Sequence, residues 1–240
     1  MARNELSQIF HQTIGSGVSE IKQALFAGKL TQTAENETNK LMLAPVYVDQ
    51  LAGADRKTIS SFYGPITDKK AAKRFGAANL EEFSFWAWRS CGIVALQMIL
   101  QTEIPRLREK TTMDFIQEGL ALNGYNYVND VGWYHHALAQ LARQYGLAAK
   151  TKKFVPLSQI AWEINKGNYV LISVISQHGG HFLLGFQSHL DEKGQLTGLT
   201  VHDPNNYQKT GEGQFITSDQ LNKISTKRII SISFLKKQNG

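Results

Sequence analysis

Cysteine is almost absent: Cys91 is the one thiol among 240 residues. A single cysteine can close no internal disulfide and build no cysteine-rich zinc site, so any role it has is that of a thiol. Long hydrophobic runs are missing too, since no stretch reaches the roughly 18 apolar residues that span a bilayer. Met1 to Leu30 lacks the basic, apolar, small-residue order of a secretory signal. These absences set the expectation of a cytoplasmic protein with no membrane segment. The sequence also holds no internal repeat, no low-complexity tract and no nucleotide-binding P-loop. What is there is ordinary for a chain that folds by burial: 42% hydrophobic, 10% aromatic and 19% charged residues. That balance excludes a disordered, collagen-like or coiled-coil protein. The length fits one domain of generous size, or one domain with an extension.

The formal charge of +6 permits attraction to nucleic acid, so its distribution has to decide. Lys69, Lys70, Lys73 and Arg74 form the densest cluster and Lys150, Lys152 and Lys153 a lesser one. Neither is interleaved with aromatics, so both read as solvated faces and no nucleic-acid partner is expected.

Ile9, Phe10, Ile14, Val18, Ile21, Ala24 and Leu25 recur at helical spacing, with Gly15 and Gly17 dividing the segment. Lys29 to Lys40 is polar and reads as a linker. Residues 1–40 are therefore expected to form a helical extension, and 41–240 the main domain. Leu41 to Gln50 suits an edge strand or an extended segment, with Pro45 inside it. Residues 51–84 read as an insertion, carrying a weak helix at Asp68 to Phe75 and a turn at Tyr63-Gly64-Pro65. Ser90 to Gln101 is apolar nearly all round, which marks a helix buried in the middle of a domain. A second helix is expected from Gly132 to Gly146. Strand-like runs follow at Tyr169–Ser176, His181–Gln187, Leu199–Asp203 and Arg228–Leu235. Helices first and strands second imply an α+β fold, with the cysteine-bearing helix central to a helical layer on a mostly antiparallel sheet.

Cys91 follows Ser90, a good N-cap residue, so its sulfur is expected in the first turn of the buried helix. Unpaired N–H groups there favour a thiolate, the nucleophilic form. A nucleophile needs a base. His11 lies in the extension and His189 in a polar stretch; His135 and His136, beside Trp133, suit helix packing. His181 differs, because it follows Gly179-Gly180 and opens the apolar strand from Phe182 to Phe186, where burial without a partner is costly. A hairpin centred near Glu192 pairs position 181 with 203, so Asp203 would face His181 across the ladder and His202 would point the other way. Asp203 ahead of Pro204-Asn205-Asn206 also suits a plain turn.

Cysteine at a helix start, histidine at a strand start and a carboxylate on the next strand supply a nucleophile, a base and an orienting group. Trp88-Arg89-Ser90-Cys91-Gly92-Ile93-Val94-Ala95-Leu96-Gln97-Met98-Ile99-Leu100, Gly180-His181-Phe182 and His202-Asp203-Pro204 together resemble the peptidase C39-like group of papain-like cysteine peptidases. The resemblance runs from about Ser84 to Leu235. It implies a papain-like fold and hydrolysis of a peptide or amide bond by Cys91, His181 and Asp203, with a peptide or protein as substrate and no cofactor. The group usually carries an oxyanion-hole glutamine a few residues before the cysteine, and Phe85-Trp86-Ala87-Trp88-Arg89 has none. Ala44-Pro45-Val46-Tyr47-Val48-Asp49-Gln50 resembles the strand that ends in this glutamine, which makes Gln50 the oxyanion candidate if 51–84 is an insertion, with the Trp86 and Trp88 indoles as alternative donors. The same triad serves acyltransferases, and the departure at the oxyanion position leaves room for a catalytically silent module that binds peptide or protein. His178, His181 and Asp203 also make a ligand list, but their spacing matches no closed zinc pattern and no metal is expected. Leader-processing members of the group cut after paired glycines as parts of membrane transporters. That substrate is not carried over to a chain without a transmembrane segment or a P-loop.

Overall fold

The computed structural model describes residues 44–128, 130, 132–176, 178–207 and 210–234. The expected helical extension at 1–40, with His11, lies outside the described residues. Residues 44–49 run extended along the protein without joining a sheet, and a short 3-10 turn follows at Arg56–Thr58. Five helices come next: α1 (Lys69–Phe75), α2 (Leu80–Ala87), α3 (Cys91–Glu103), α4 (Thr112–Ala121) and α5 (His135–Gln144). Strand β1 (Leu147–Lys153) and helix α6 (Leu157–Asn165) lead into β2 (Tyr169–Ser176), β3 (Gly179–Leu190), β4 (Leu196–His202) and β5 (Gln214–Thr217). Helix α7 (Ser218–Ile224) and strand β6 (Ser225–Phe234) close the described chain. The six strands make one sheet in the order β1-β6-β2-β3-β4-β5, every pair antiparallel. This is an α+β architecture.

Helix α3 is the centre of it. Ten of its residues, Gly92 to Gln101, are buried, because its sequence is apolar on every side and so must be enclosed on every side. Leu171, Phe182, Leu184 and Ile230 face it from the sheet, and Phe115, Leu138 and Leu141 from α4 and α5. Residues 51–87 do not form a core of their own: Leu51, Ile66, Phe75 and Phe83 join the same cluster. The other sheet face is also covered. Val170, Ile172, Leu183 and Val201 pack there with Ile160 and Ile164 of α6 and Leu221 of α7. Helices on both faces explain why β2 is apolar without alternation.

The expected order of helices followed by strands holds in outline, but β1 and α6 intervene before β2, and α7 sits between β5 and β6. The expected β3–β4 register is corrected. Leu184 lies opposite His202, two residues away from the anticipated pairing, and bulges interrupt the ladder between Gly185 and Gln187 and between His189 and Leu190. The cause is the turn: Asp191 Oδ1 accepts the N–H groups of Lys193 and Gln195, centring the reversal one residue later than Glu192. Both strands are also longer than expected, so His189 belongs to β3, where its Nε2 lies 2.6 Å from Thr200 Oγ1.

Candidate active site

Helices α2 and α3 meet at a corner of 87°, and the corner presents the first turn of α3. Cys91 is the first residue of that helix and is partly exposed. Ser90 was expected to cap the helix with its side chain and does not. Its backbone (φ −91°, ψ 6°) is not the extended conformation that aims a capping hydroxyl at the N–H groups ahead, and its Oγ is buried with no hydrogen-bond partner. Gly92 is a packing requirement: a Cβ there would stand 3.0 Å from Leu138 Cδ1 and 3.1 Å from the Phe182 ring. The missing side chain lets the start of β3 come against the start of α3.

That approach brings His181 to Cys91. The imidazole Nε2 lies 2.7 Å from Asp203 Oδ1, with only 15% and 19% of the two side chains exposed. Cys91 acts on the same ring, and with Nε2 occupied the nitrogen left for sulfur is Nδ1. Burial alone would push the imidazole pKa down; the charges and hydrogen bonds of Cys91 and Asp203 outweigh it and raise the value to about 10. His181 and Asp203 meet as diagonal neighbours and not as a directly opposed pair, because a shift of two residues preserves the strand face while a shift of one would reverse it. The turn reading of Asp203 is present as well: the same Oδ1 accepts the Asn205 N–H at 2.8 Å. Orienting the ring and opening the turn are compatible duties of one carboxylate.

His202, on the neighbouring strand, is 3% exposed. Its Nε2–H donates to the Pro45 carbonyl at 2.8 Å and its Nδ1 accepts the Gly213 N–H at 2.9 Å. Burial lowers its pKa, which keeps the ring neutral. His135 packs on Phe182 with ring centroids 4.9 Å apart, and burial, then the charges of Arg228, His136 and Lys153, push it down to about 4.

Gln50 is 2% exposed; its N–H donates to the Pro204 carbonyl at 2.9 Å and its side-chain Oε1 has no hydrogen-bond partner. The sequence candidate at position 50 therefore sits one residue from Asp203 in space. The Trp88 indole N–H is already engaged by the Gly64 carbonyl at 2.8 Å, so it is not an open donor, while Trp86 packs against Tyr125 and Trp133. Aromatic contacts gather on the segments that lead into Cys91 and His181. Phe62 stacks on His178 with centroids 3.7 Å apart and also meets Trp88 and Tyr207. Arg89, held by Asp130 at 2.6 Å, lies over the Phe85 ring. No periodicity links these residues, because they come from separate loops and from the end of α2. No group of three or more metal-ligating side chains occurs among the described residues, and among them no single helix is long and apolar enough to cross a membrane.

The profile of the Peptidase_C39 like family matches residues 77–226, more than half of the chain, with Gln50 upstream of the match. Three solved structures illustrate the likeness in shape. The peptidase domain of Streptococcus ComA, a bifunctional ABC transporter involved in quorum sensing, is 12% identical, with 61% of this chain and 93% of that chain covered and a TM-score of 0.44. A double glycine motif protease from an AMS/PCAT transporter, in complex with the leader peptide, is 16% identical over 60% and 84%, with a TM-score of 0.42. A putative C39-like peptidase from Bacillus anthracis is 14% identical over 62% and 90%, with a TM-score of 0.42. No curated protein matches the chain.

Proposed function

From a chain that belongs to the Peptidase_C39 like family and has its papain-like fold, we propose a cysteine peptidase or amidase acting on a peptide or protein through Cys91, His181 and Asp203. The observation that carries the reading is the His181 ring held between the Cys91 thiol and Asp203 Oδ1 at 2.7 Å. In this mechanism the Cys91 sulfur attacks the amide carbonyl as a thiolate, and His181 gives a proton from Nδ1 to the departing amine. A water then attacks the thioester carbonyl as His181 takes its proton, and the C–S bond breaks to release the acid and restore the Cys91 thiolate. Asp203 accepts from Nε2–H throughout, which fixes the ring and stabilises its cationic form. The Cys91 backbone N–H and the Gln50 side-chain amide receive the negative oxygen of the tetrahedral intermediate.

Because Cys91 is the only cysteine, iodoacetamide labelling followed by intact mass reports on it alone. Native protein is expected to be labelled about 10-fold or more faster than after His181→Ala. Equal rates in the two proteins would defeat the peptidase reading and leave a silent peptide-binding module. Gln50→Ala separates the oxyanion role: casein or peptide hydrolysis should fall about 10²-fold while labelling, which passes through no tetrahedral oxyanion, keeps its rate.

A further inference from the structure

Asp203 lies just past the end of β4, outside the regular ladder, so the strand does not hold it in place. Its backbone is held by other means. The Asp203 N–H donates to the Gly211 carbonyl at 2.8 Å, and its own carbonyl accepts the Tyr47 hydroxyl at 3.0 Å. Gly211 is close enough that a Cβ there would collide with both the Asp203 carbonyl and the Tyr47 hydroxyl oxygen. The segment that carries Tyr47 grips the rest of the turn as well. The Gln50 N–H binds the Pro204 carbonyl, and Arg56 donates to the Asn206 carbonyl at 3.1 Å. Upstream, His202 donates to the Pro45 carbonyl and meets the Tyr47 ring edge-on at 5.4 Å.

We infer that the segment 45–56 is a clamp that sets the position of the Asp203 turn, and that Tyr47 is a positioning residue acting on His181 through Asp203. The inference rests on the peptidase reading for its meaning, but its geometry does not. A 2.7 Å contact between a ring and a carboxylate tolerates little displacement before the bond lengthens and weakens. Tyr47 holds the peptide unit directly after the Asp203 Cα, which is the shortest lever on that carboxylate. The clamp also ties Gln50 to the same turn, so the group that receives the oxyanion and the group that orients the base move together as one piece.

The readout is the ring titration of His181 by NMR in the full chain with isotope-labelled histidine, assigned by the signal lost in His181→Ala. The ionisable groups against that ring are Cys91 and Asp203. Tyr47→Phe deletes one hydroxyl and leaves the ring packing. It is expected to lower the His181 midpoint by about half a pH unit or more, with the melting temperature changed by only a few degrees. Asp203→Ala should lower the midpoint further, and Tyr47→Phe added to Asp203→Ala should do nothing more, since the carboxylate it acts through is gone. If Tyr47→Phe does not fold, Gly211→Ala presses on the same carbonyl from the other side and carries the same expectation. An unmoved midpoint in the single variant, or additive shifts in the double variant, overturns the inference. A protein labelled rapidly at Cys91 with such results keeps the peptidase reading and loses only the clamp; slow labelling with a midpoint that follows Tyr47 keeps the clamp and loses the peptidase.

Discussion

Two histidines on adjacent strands, His181 at the start of β3 and His202 at the end of β4, are both drawn out of water and titrate in opposite directions. Burial pulls each toward the neutral form. At His202 the ring meets a carbonyl and an N–H group, which are neutral partners, and burial prevails. The His181 ring meets a carboxylate and a thiol at the sheet end, and there the charged partners prevail. The lesson is that depth does not assign a role to a histidine; the charge of what its two nitrogens touch does. One ring holds the Pro45 segment and the Gly213 loop together, and the other lies against the Asp203 carboxylate.

The sharpest way to break this contrast is to remove the charge from one side of it. Asp203→Asn preserves the shape and the acceptor for the Asn205 N–H, so the fold should survive. Peptide hydrolysis should fall about 10-fold or more, and the His181 midpoint should move down toward the ordinary value of about 6.5. Unchanged hydrolysis together with an unchanged midpoint would leave Asp203 with its turn role alone.

A smaller effect on activity, and a larger one on stability, is expected at the other ring. His202→Ala strands the buried Pro45 carbonyl and leaves a hole where the ring packed against Tyr47 and Phe186, at a cost of about 2–4 kcal/mol read from denaturant melts. Below its unfolding transition the variant should still be labelled at Cys91. If labelling stops while stability stays normal, the two histidines have been assigned the wrong way round.

The smallest effect is in the pH dependence of stability, where the two rings pull in opposite senses. His181 has a raised folded pKa, so its contribution is complete below about pH 6.5 and is lost as pH rises through about 10. His202 has a lowered one, so its contribution is present above about pH 6.5 and is lost as pH falls from there toward its folded value. Thermal melts should therefore fall by a few degrees on both sides of neutrality. Asp203→Asn should flatten the alkaline side only. A variant curve that flattens on the acid side instead would contradict the assignment of charges.

The individual elements differ in how plainly the sequence announces them. Helix α3 is legible because an all-round apolar run of its length has one stable solution, a helix enclosed by the rest of the domain. Strand β2 is expected and found at Tyr169–Ser176 for a similar reason, since both its faces are covered. Strand β1 passes unnoticed because it is an edge strand whose Lys150, Lys152 and Lys153 interrupt any alternation, as suits an edge that must not pair further. Helices α4 and α7 carry a local signal of another kind: Thr111 with Asp114 and Thr217 with Gln220 are capping boxes, visible as a threonine followed three residues later by a side chain that can reach back.

At the site the division is the same. The sequence by itself determined that Cys91 begins a buried helix, that glycine follows it, and that His181 opens a buried strand, because helix periodicity, strand composition and the need of a buried imidazole for a partner are all written in a few consecutive residues. The tertiary structure alone decided how those pieces meet. The turn at Asp191 set a register two residues from the simplest one, the gap at Gly92 let β3 close on α3, and Tyr47 reached across 156 positions to the Asp203 carbonyl. Ser90 likewise looked like a capping residue and became a buried hydroxyl without a partner. Register, close approach and long-range hydrogen bonds depend on where distant segments come to rest when the core closes, and no local pattern of residues encodes that position.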